Sequence, residues 1–345
     1  MNLLRKSVSV VLSLIMILSL FTILPPEAFA AAEVQYIERS WDSANQKVVD
    51  TVKTCTDYTT ITSQSSLTIG SGKWYVVNGD ATIDKRVTVS GTAHIILLSG
   101  TLKCMYGIRL SKGNSLFVYP GKNSEGKLNP RTGDDEEANL GGNKGEDCGE
   151  FVFYGGTLDV FNYDWCSGAT AIGGGGYGGN CGKLSFYGGT VDASNNGEAP
   201  SRKSYGAVIG DGSDAYSNDS DCYINIYGGT IKADNHANSN GSGIGGGEDS
   251  TGCPINILGG KITARAYNGA GIGSGQDGGS STVTIKNAEI KAESNYGAGI
   301  GSGEDSDSES IIIENSYVEA ASKTNSDSQV GAEGAGIGGG NCGKS

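Results

Sequence analysis

The chain has 345 residues, of which 57 are glycine and only 6 are proline, and its formal net charge is −13 at pH 7. Such an acidic chain repels the phosphates of nucleic acids and of anionic lipids, so neither is expected as a partner. The glycines lack the every-third period of collagen, and β-branched residues recur on a regular pattern, which disfavours disorder.

The N-terminal residues have the order of features that is typical of a secretory signal peptide. Arg5 and Lys6 precede an apolar run over residues 8–24, and an A-x-A cleavage site ends at Ala30. The apolar run is short for a bilayer span of about 20 residues, which makes an uncleaved membrane anchor the weaker alternative. We therefore predict a signal peptide over residues 1–30, no membrane insertion after its cleavage, and a mature chain that is secreted or held at the cell surface.

Two less regular segments follow. Residues 31–69 carry no repeat and are interpreted as an N-terminal cap, which a solenoid of strands needs to cover its open end. Residues 70–131 contain short alternating segments such as KWYVV and HIILLSGTLKC and are predicted to form irregular coils.

Two short phrases recur through residues 132–345, which we interpret as regular repeats. An Ile-Gly phrase such as AGIGSG alternates with a second phrase such as FYGGTLDV or IYGGTIKA. Successive isoleucines of the first phrase lie between 28 residues (Ile272 to Ile300) and 37 residues (Ile300 to Ile337) apart. A period of this size is the signature of a solenoid, so the repeats decide the fold.

Within each repeat the apolar residues alternate, as they do in strands with one buried face. Three short strands, separated by Gly-rich or Asn/Asp/Ser bends, can close one coil in about 28 residues. Stacked coils then pair each strand with its own copies about 4.8 Å above and below. The sequence predicts an all-β fold, a parallel β-helix over residues 70–345 with about 28–40 residues per coil.

The stretch GNSLFVYPGKNSEGKL, followed by YGGT and GAGIGGG units, resembles secreted repeat proteins of Gram-positive bacteria. The resemblance covers roughly residues 70–345. It implies a pectate-lyase-like, right-handed β-helix, and it implies surface display, because these proteins often sit beside anchoring modules. Similar β-helical domains include carbohydrate-binding ones that recognise plant polysaccharide, so a polysaccharide or cell-surface glycan is the expected partner.

Tyr154, Tyr187 and Tyr227 occupy the same position of three successive repeats and face outward by the alternation. An exposed aromatic row can stack on sugar rings, which makes these residues carbohydrate-binding candidates. The alternative is a packing role, because stacked tyrosines also stabilise one another.

Asp159 and Asp192 lie one coil apart on the outward ladder of the second strand. Paired carboxylates could act as acid and base or nucleophile in glycoside cleavage, or could bind sugar, whereas the simpler alternative is a solvated face. The chain has no Asn-Thr-Asp or Gly-His-Gly run of the kind polygalacturonase-like enzymes show, and His94 and His236 are interpreted as ordinary polar residues. We therefore expect no catalytic residue.

The expected function is an exported, non-catalytic repeat protein that displays an extended surface for adhesion or carbohydrate binding. A polysaccharide lyase or glycoside hydrolase is the alternative, and a structural cell-surface stalk is a second one.

Five of the eight cysteines precede the first strand of a unit at near-equivalent positions: Cys148, Cys181, Cys222, Cys253 and Cys342. Cys148–Cys181 and Cys222–Cys253 are candidate cross-coil disulfides in an exported protein, and a reduced buried column is equally compatible. No C-x-x-C pair occurs, so no metal site or other cofactor is predicted. The acidic loops at residues 210–221 and 303–310 could hold calcium, but a solvated loop is the favoured interpretation.

The last eight residues, GGGNCGKS, fit the spacing of a phosphate-binding loop. Such a loop needs a following helix whose N-terminus holds the phosphates. The same GGNCGK stretch occurs at residues 178–183 before a predicted strand, so both copies are interpreted as repeat boundaries and no nucleotide is expected to bind. The pattern predicts a further strand after residue 345, as in a truncated chain.

Overall fold

In the computed structural model the described residues are 33–123, 125–131, 136–161, 168–195, 203–216, 222–235, 238–279, 282–306, 310–323 and 334–342. Within these ranges the chain forms 31 β-strands, numbered β1 to β31 in chain order, and no helix. Accordingly, no helix of these ranges could cross a membrane. The predicted signal peptide, His236 and the final GKS lie outside the described residues.

Three parallel sheets run the length of the molecule and contain every strand except the first two. The first sheet has ten strands: β3 (Thr59–Thr60), β5 (Lys73–Asn78), β8 (Thr92–Ser99), β11 (Ser115–Pro120), β14 (Glu150–Phe153), β17 (Lys183–Phe186), β20 (Tyr223–Ile226), β23 (Ile255–Ile257), β26 (Thr282–Lys286) and β29 (Ser310–Glu314). The second sheet has nine: β6 (Ala81–Ile83), β9 (Thr101–Cys104), β12 (Lys127–Pro130), β15 (Thr157–Phe161), β18 (Thr190–Ser194), β21 (Thr230–Asp234), β24 (Gly260–Arg265), β27 (Ala288–Ser294) and β30 (Tyr317–Ser322).

The third sheet has ten short strands, most of them the two residues of the Ile-Gly phrase. They are β4 (Thr68–Gly70), β7 (Val87–Ser90), β10 (Ile108–Arg109), β13 (Leu140–Gly141), β16 (Ile172–Gly173), β19 (Ile209–Gly210), β22 (Ile244–Gly245), β25 (Ile272–Gly273), β28 (Ile300–Gly301) and β31 (Ile337–Gly338). In all three sheets each strand pairs with its equivalents in the coils before and after it.

The core consists of columns of like residues, because each interior position meets its own copy one coil away. Leu184, for example, pairs with Phe151 on one side and with Ile224 on the other, and all three are fully buried. Burying one such side chain stabilises the fold by roughly 1.5–3 kcal/mol, and only stacked coils can bury it. The fold is the right-handed parallel β-helix that the repeats and the resemblance predict.

The glycine of the Ile-Gly phrase is required by close backbone approach. Gly210 has φ +147, and a Cβ at this position would lie 1.9 Å from the carbonyl oxygen of Gly245 in the next coil. Gly173 and Gly245 repeat the conformation, with φ +135 and +132. The sharp corner of the third sheet therefore excludes a side chain at this position.

β1 (Val34–Asp42) and β2 (Lys47–Cys55) form an antiparallel hairpin that packs on the outer face of the first sheet. Tyr36 of the hairpin is buried against Trp74 and Tyr119, with ring centroids 5.0 and 4.9 Å away. The hairpin is part of the cap that was predicted over residues 31–69, and in the structure it lies along the side of the solenoid. Strands β3 and β4 begin the first and third sheets.

Candidate functional site

The three candidate tyrosines form a continuous stack at the end of the first-sheet strands. Ring centroids are 5.3 Å apart between Tyr154 and Tyr187 and 4.5 Å apart between Tyr187 and Tyr227. Tyr119 of the preceding coil extends the stack, 4.7 Å from Tyr154. The stacking arises because Tyr154, Tyr187 and Tyr227 each directly follow a strand that pairs in register with its neighbours.

The N-terminal hairpin covers part of this stack, which leaves the tyrosines half-buried. Trp41 lies 5.4 Å from Tyr227, centroid to centroid, and the Arg39 guanidinium donates a hydrogen bond to the backbone carbonyl of Tyr154. Burial raises the pKa of Tyr154 to about 12 and also raises the pKa of Tyr187. The packing role that the sequence left open therefore accounts for the observed contacts, and a carbohydrate role for these tyrosines stays a prediction.

The candidate carboxylates lie on the outer face of the second sheet. Asp159 pairs with Asp192, and Asp192 pairs with Lys232 in the next coil. The Lys127 ammonium group forms an ion pair with Asp159, and the Lys232 Nζ atom lies 3.3 Å from a carboxylate oxygen of Asp192. Each carboxylate therefore has its own cationic partner.

A cleft of about 290 Å³ opens beside these residues. Its lining residues are Asp159, Val160, Phe161, Asp192, Ser194, Lys232 and Asp234. Two parallel outward columns form it, because Phe161 pairs with Ser194 and Ser194 with Asp234 in the same register. The cleft thus runs along the solenoid axis, and we call it the second-sheet cleft.

One carboxylate oxygen at the second-sheet cleft lacks a hydrogen-bond partner within the described ranges. The Oδ1 atom of Asp234 is buried and accepts no hydrogen bond from any described residue. The other carboxylate oxygen, Oδ2, lies 3.9 Å from the Lys232 ammonium. A buried acceptor without a donor is costly to the fold.

The predicted site residues therefore fall into two groups on different sheets, separated by the Gly-Gly corner of the YGG phrase. None of the tyrosines in the described ranges lines the second-sheet cleft. The sequence reasoning did not select Phe161, Lys232 or Asp234 as site residues. Strand alternation could have found them, because Phe161 and Asp234 stand two residues beyond the position that Asp159 and Lys232 occupy.

A second cavity, of about 350 Å³, lies where the chain passes from the third sheet to the first. Its polar lining includes Lys112, Asp147, Glu150 and Lys183, and the Lys112 Nζ atom lies 3.3 Å from an oxygen of Asp147. Cys148 and Cys222 also line it. Its charged residues were not predicted as a site, because Lys112 and Asp147 fall in bends that differ between repeats, whereas Glu150 and Lys183 begin β14 and β17.

The described cysteines of the predicted column are thiols in the structure, not disulfides. Burial raises the pKa of the Cys148 thiol to about 12 and raises the pKa values of Cys181 and Cys253 as well. The predicted bridges Cys148–Cys181 and Cys222–Cys253 stay predictions. Calcium binding by the two acidic loops also stays a prediction, since residues 217–221 and 307–309 lie outside the described ranges.

Comparison with known proteins adds one family match. A family model described as a beta helix repeat matches residues 224–248, 255–276 and 283–304, which are three consecutive coils of the regular region. No curated protein and no solved structure showed significant similarity to the chain. The matched repeats and the three parallel sheets agree, and the chain is a parallel β-helical repeat protein.

Proposed function

We propose that this protein is an exported, non-catalytic β-helical repeat protein that binds an extracellular polysaccharide or cell-surface glycan in the second-sheet cleft. The observation that carries the proposal is the cleft itself, a polar channel between two outward columns that follow the axis of the solenoid. An extended polymer can lie along such a channel and repeat its contacts from coil to coil. The expected signal peptide places the protein where such polymers occur.

The chemistry of the cleft suits a hydroxyl-rich ligand. Asp159, Asp192 and Asp234 offer acceptors for sugar hydroxyls, and the Lys232 ammonium offers a donor. Phe161 supplies an aromatic ring beside the polar groups. The ion pair between Lys232 and Asp192 is half-exposed and weak, so it can be exchanged for ligand contacts at small cost.

The pairing of the two carboxylates favours binding over glycoside cleavage. Asp159 and Asp192 each form an ion pair with a lysine of a neighbouring strand, an arrangement that offers sugar hydroxyls both acceptors and donors. The alternative function, a polysaccharide lyase or glycoside hydrolase, would use the same two carboxylates, which are adjacent on paired strands.

A glycan array probed with the mature protein tests the proposal, followed by affinity electrophoresis on each polysaccharide that is retained. We expect retention of at least one acidic or neutral polysaccharide, and loss of that retention in the Asp192→Ala/Lys232→Ala double variant. Binding to no glycan would contradict the proposal and favour the structural stalk.

An activity assay on the retained polysaccharides separates the binder from the enzyme. Reducing-sugar release and the absorbance of unsaturated products should stay at the level of the buffer control. Product formation that Asp159→Asn and Asp192→Asn abolish would establish the enzyme instead.

A further inference from the structure

A cluster of three cysteines lies in the core, away from the second-sheet cleft. Cys181, Cys222 and Cys253 precede β17, β20 and β23 in three consecutive coils. Their Sγ atoms all lie within 4.8 Å of one another, and none of the three residues is more than 7% exposed. Coil stacking therefore brings cysteines that are far apart in sequence into one triangular set of sulfur atoms, which we call the cysteine triad.

Asp211 places a carboxylate against the cysteine triad. Its Oδ1 atom accepts a hydrogen bond from the backbone N–H of Cys181, at 2.7 Å, and another from the Cys253 thiol, with Sγ and Oδ1 3.1 Å apart. Its Oδ2 atom is buried and has no hydrogen-bond partner in the part of the chain that the structure describes. A fully buried carboxylate with an orphaned oxygen is costly and needs a physical reason.

The turn itself does not require an acid at this position. Asp211 directly follows the Ile-Gly strand β19, and the same position in the other regular coils is glycine or serine: Gly142, Gly174, Gly246, Ser274, Ser302 and Gly339. The single acid of this column therefore occurs in the coil whose corner contacts the cysteine triad. Three thiols and a carboxylate together form a ligand set rather than a packing motif.

We propose that the cysteine triad and Asp211 bind a thiophilic metal ion of the zinc(II) type, with three sulfur ligands and one carboxylate oxygen. Zinc in structural sites is tetrahedral with Zn–S distances of about 2.3 Å, which corresponds to sulfur atoms about 3.8 Å apart. The sulfur atoms thus need to approach one another by at most about 1 Å from the 4.8 Å limit. The total ligand charge equals that of the common four-cysteine zinc sites.

The 350 Å³ cavity gives the metal ion a route to the site. Cys222 lies in its wall, and the side chains of Lys112, Asp147, Glu150 and Lys183 line it with balanced charge. Metal binding would join three consecutive coils through side chains, in addition to the backbone ladders that already connect them.

Metal titration of the full chain, reduced and freed of metal, tests the proposal. Cobalt(II) is the first probe, because thiolate ligands give it near-ultraviolet charge-transfer absorption and tetrahedral geometry gives it intense visible bands. We expect one cobalt per chain, displacement by one equivalent of zinc(II), and a rise in Tm when zinc is added. Cys222→Ala should weaken metal binding at least tenfold, and Asp211→Asn should weaken it while keeping the charge-transfer absorption.

Cys104→Ala is the matched control, because Cys104 is equally buried but lies outside the cysteine triad. It should keep full cobalt absorption. If Cys222→Ala fails to fold, the zinc-dependent rise in Tm of the wild type decides the question alone. The proposal is wrong if the reduced wild type shows neither thiolate absorption nor a rise in Tm. It is also wrong if peptide mapping of protein isolated without reductant finds a disulfide between two of the three cysteines.

Discussion

Trp41 of the N-terminal hairpin packs on Tyr227, with the two ring centroids 5.4 Å apart, although 186 residues separate them in the chain. This contact, with Arg39 on the Tyr154 carbonyl, fastens the hairpin along several coils of the solenoid. The hairpin is thus docked on the tyrosine stack. The outer face of the second sheet carries the open polar cleft.

The Trp41 contact predicts that Trp41→Ala destabilises the protein by about 1–3 kcal/mol, from lost burial and the lost aromatic pair. Urea unfolding followed by circular dichroism measures the change. Tyr216→Ala is the control, because Tyr216 is 72% exposed, and it should change the free energy of unfolding by less than about 0.5 kcal/mol. Equal stability of Trp41→Ala and wild type would mean that the hairpin is not docked on the stack.

His94 makes the stability of the aromatic cluster under the N-terminal hairpin depend on pH. Its ring stacks on Trp74 at 4.3 Å and on Phe117 at 5.2 Å, and burial lowers its pKa below the usual 6.5. The unfolded chain therefore binds this proton more readily than the folded chain, so stability falls as the pH decreases below about 6.5.

We expect the stability difference between wild type and His94→Gln to be largest above pH 7 and to shrink on acidification. Parallel urea unfolding series across that pH range measure the difference, in which the contributions of groups that do not interact with His94 cancel. A difference that grows as the pH decreases would show that protonated His94 is stabilised by the fold.

The Ile-Gly corner predicts that two glycine-to-alanine substitutions differ greatly in the stability they remove. Gly210→Ala places a Cβ 1.9 Å from the Gly245 carbonyl oxygen and should cost more than about 4 kcal/mol or prevent folding. Gly72→Ala is the matched control, since Gly72 also has positive φ, +72, but has nothing within 4 Å of the added carbon. It should cost only about 1–2 kcal/mol from backbone strain. Similar losses in both variants would argue against the close coil contact.

The interior columns predict that a buried isoleucine contributes much more to stability than an exposed one. Ile226 is fully buried between Phe186 and Ile257, and Ile226→Ala should cost about 2–5 kcal/mol. Ile312 lies on the outer face of the first sheet and is 47% exposed. Ile312→Ala should therefore cost roughly 0.5 kcal/mol or less. Thermal and urea unfolding of both variants provide the measurement. A small loss for Ile226→Ala would contradict the inward assignment of this column.

The repeats were sufficient to predict the columns, because a solenoid places each residue against its own copy. Leu184 between Phe151 and Ile224, and Asp159 beside Asp192, follow from aligning the repeats. The cysteine column follows in the same way. The clustering of three of these cysteines beside Asp211 could not be predicted in this way, because coil lengths vary between the cysteines and Asp211 departs from the repeat.

The hairpin could not be placed from the sequence, because its residues belong to no repeat. Alternation in β1 and β2 indicates strands, but the solenoid residues that Tyr36, Arg39 and Trp41 contact lie 38 to 186 residues away. The tyrosines therefore gave a misleading impression of exposure, since alternation reports which side of a strand faces outward. It does not report what covers that side.

The most direct test of the proposed function measures polysaccharide affinity in matched lysine variants of the second sheet. Lys232 lines the second-sheet cleft, whereas Lys261 is an exposed lysine of the same sheet that pairs with Glu289 at 2.5 Å outside the cleft. Isothermal titration with the polysaccharide retained on the array should give at least tenfold weaker binding for Lys232→Ala and unchanged binding for Lys261→Ala. Unchanged affinity in Lys232→Ala, with affinity lost in Trp41→Ala, would contradict the account and assign binding to the tyrosine stack.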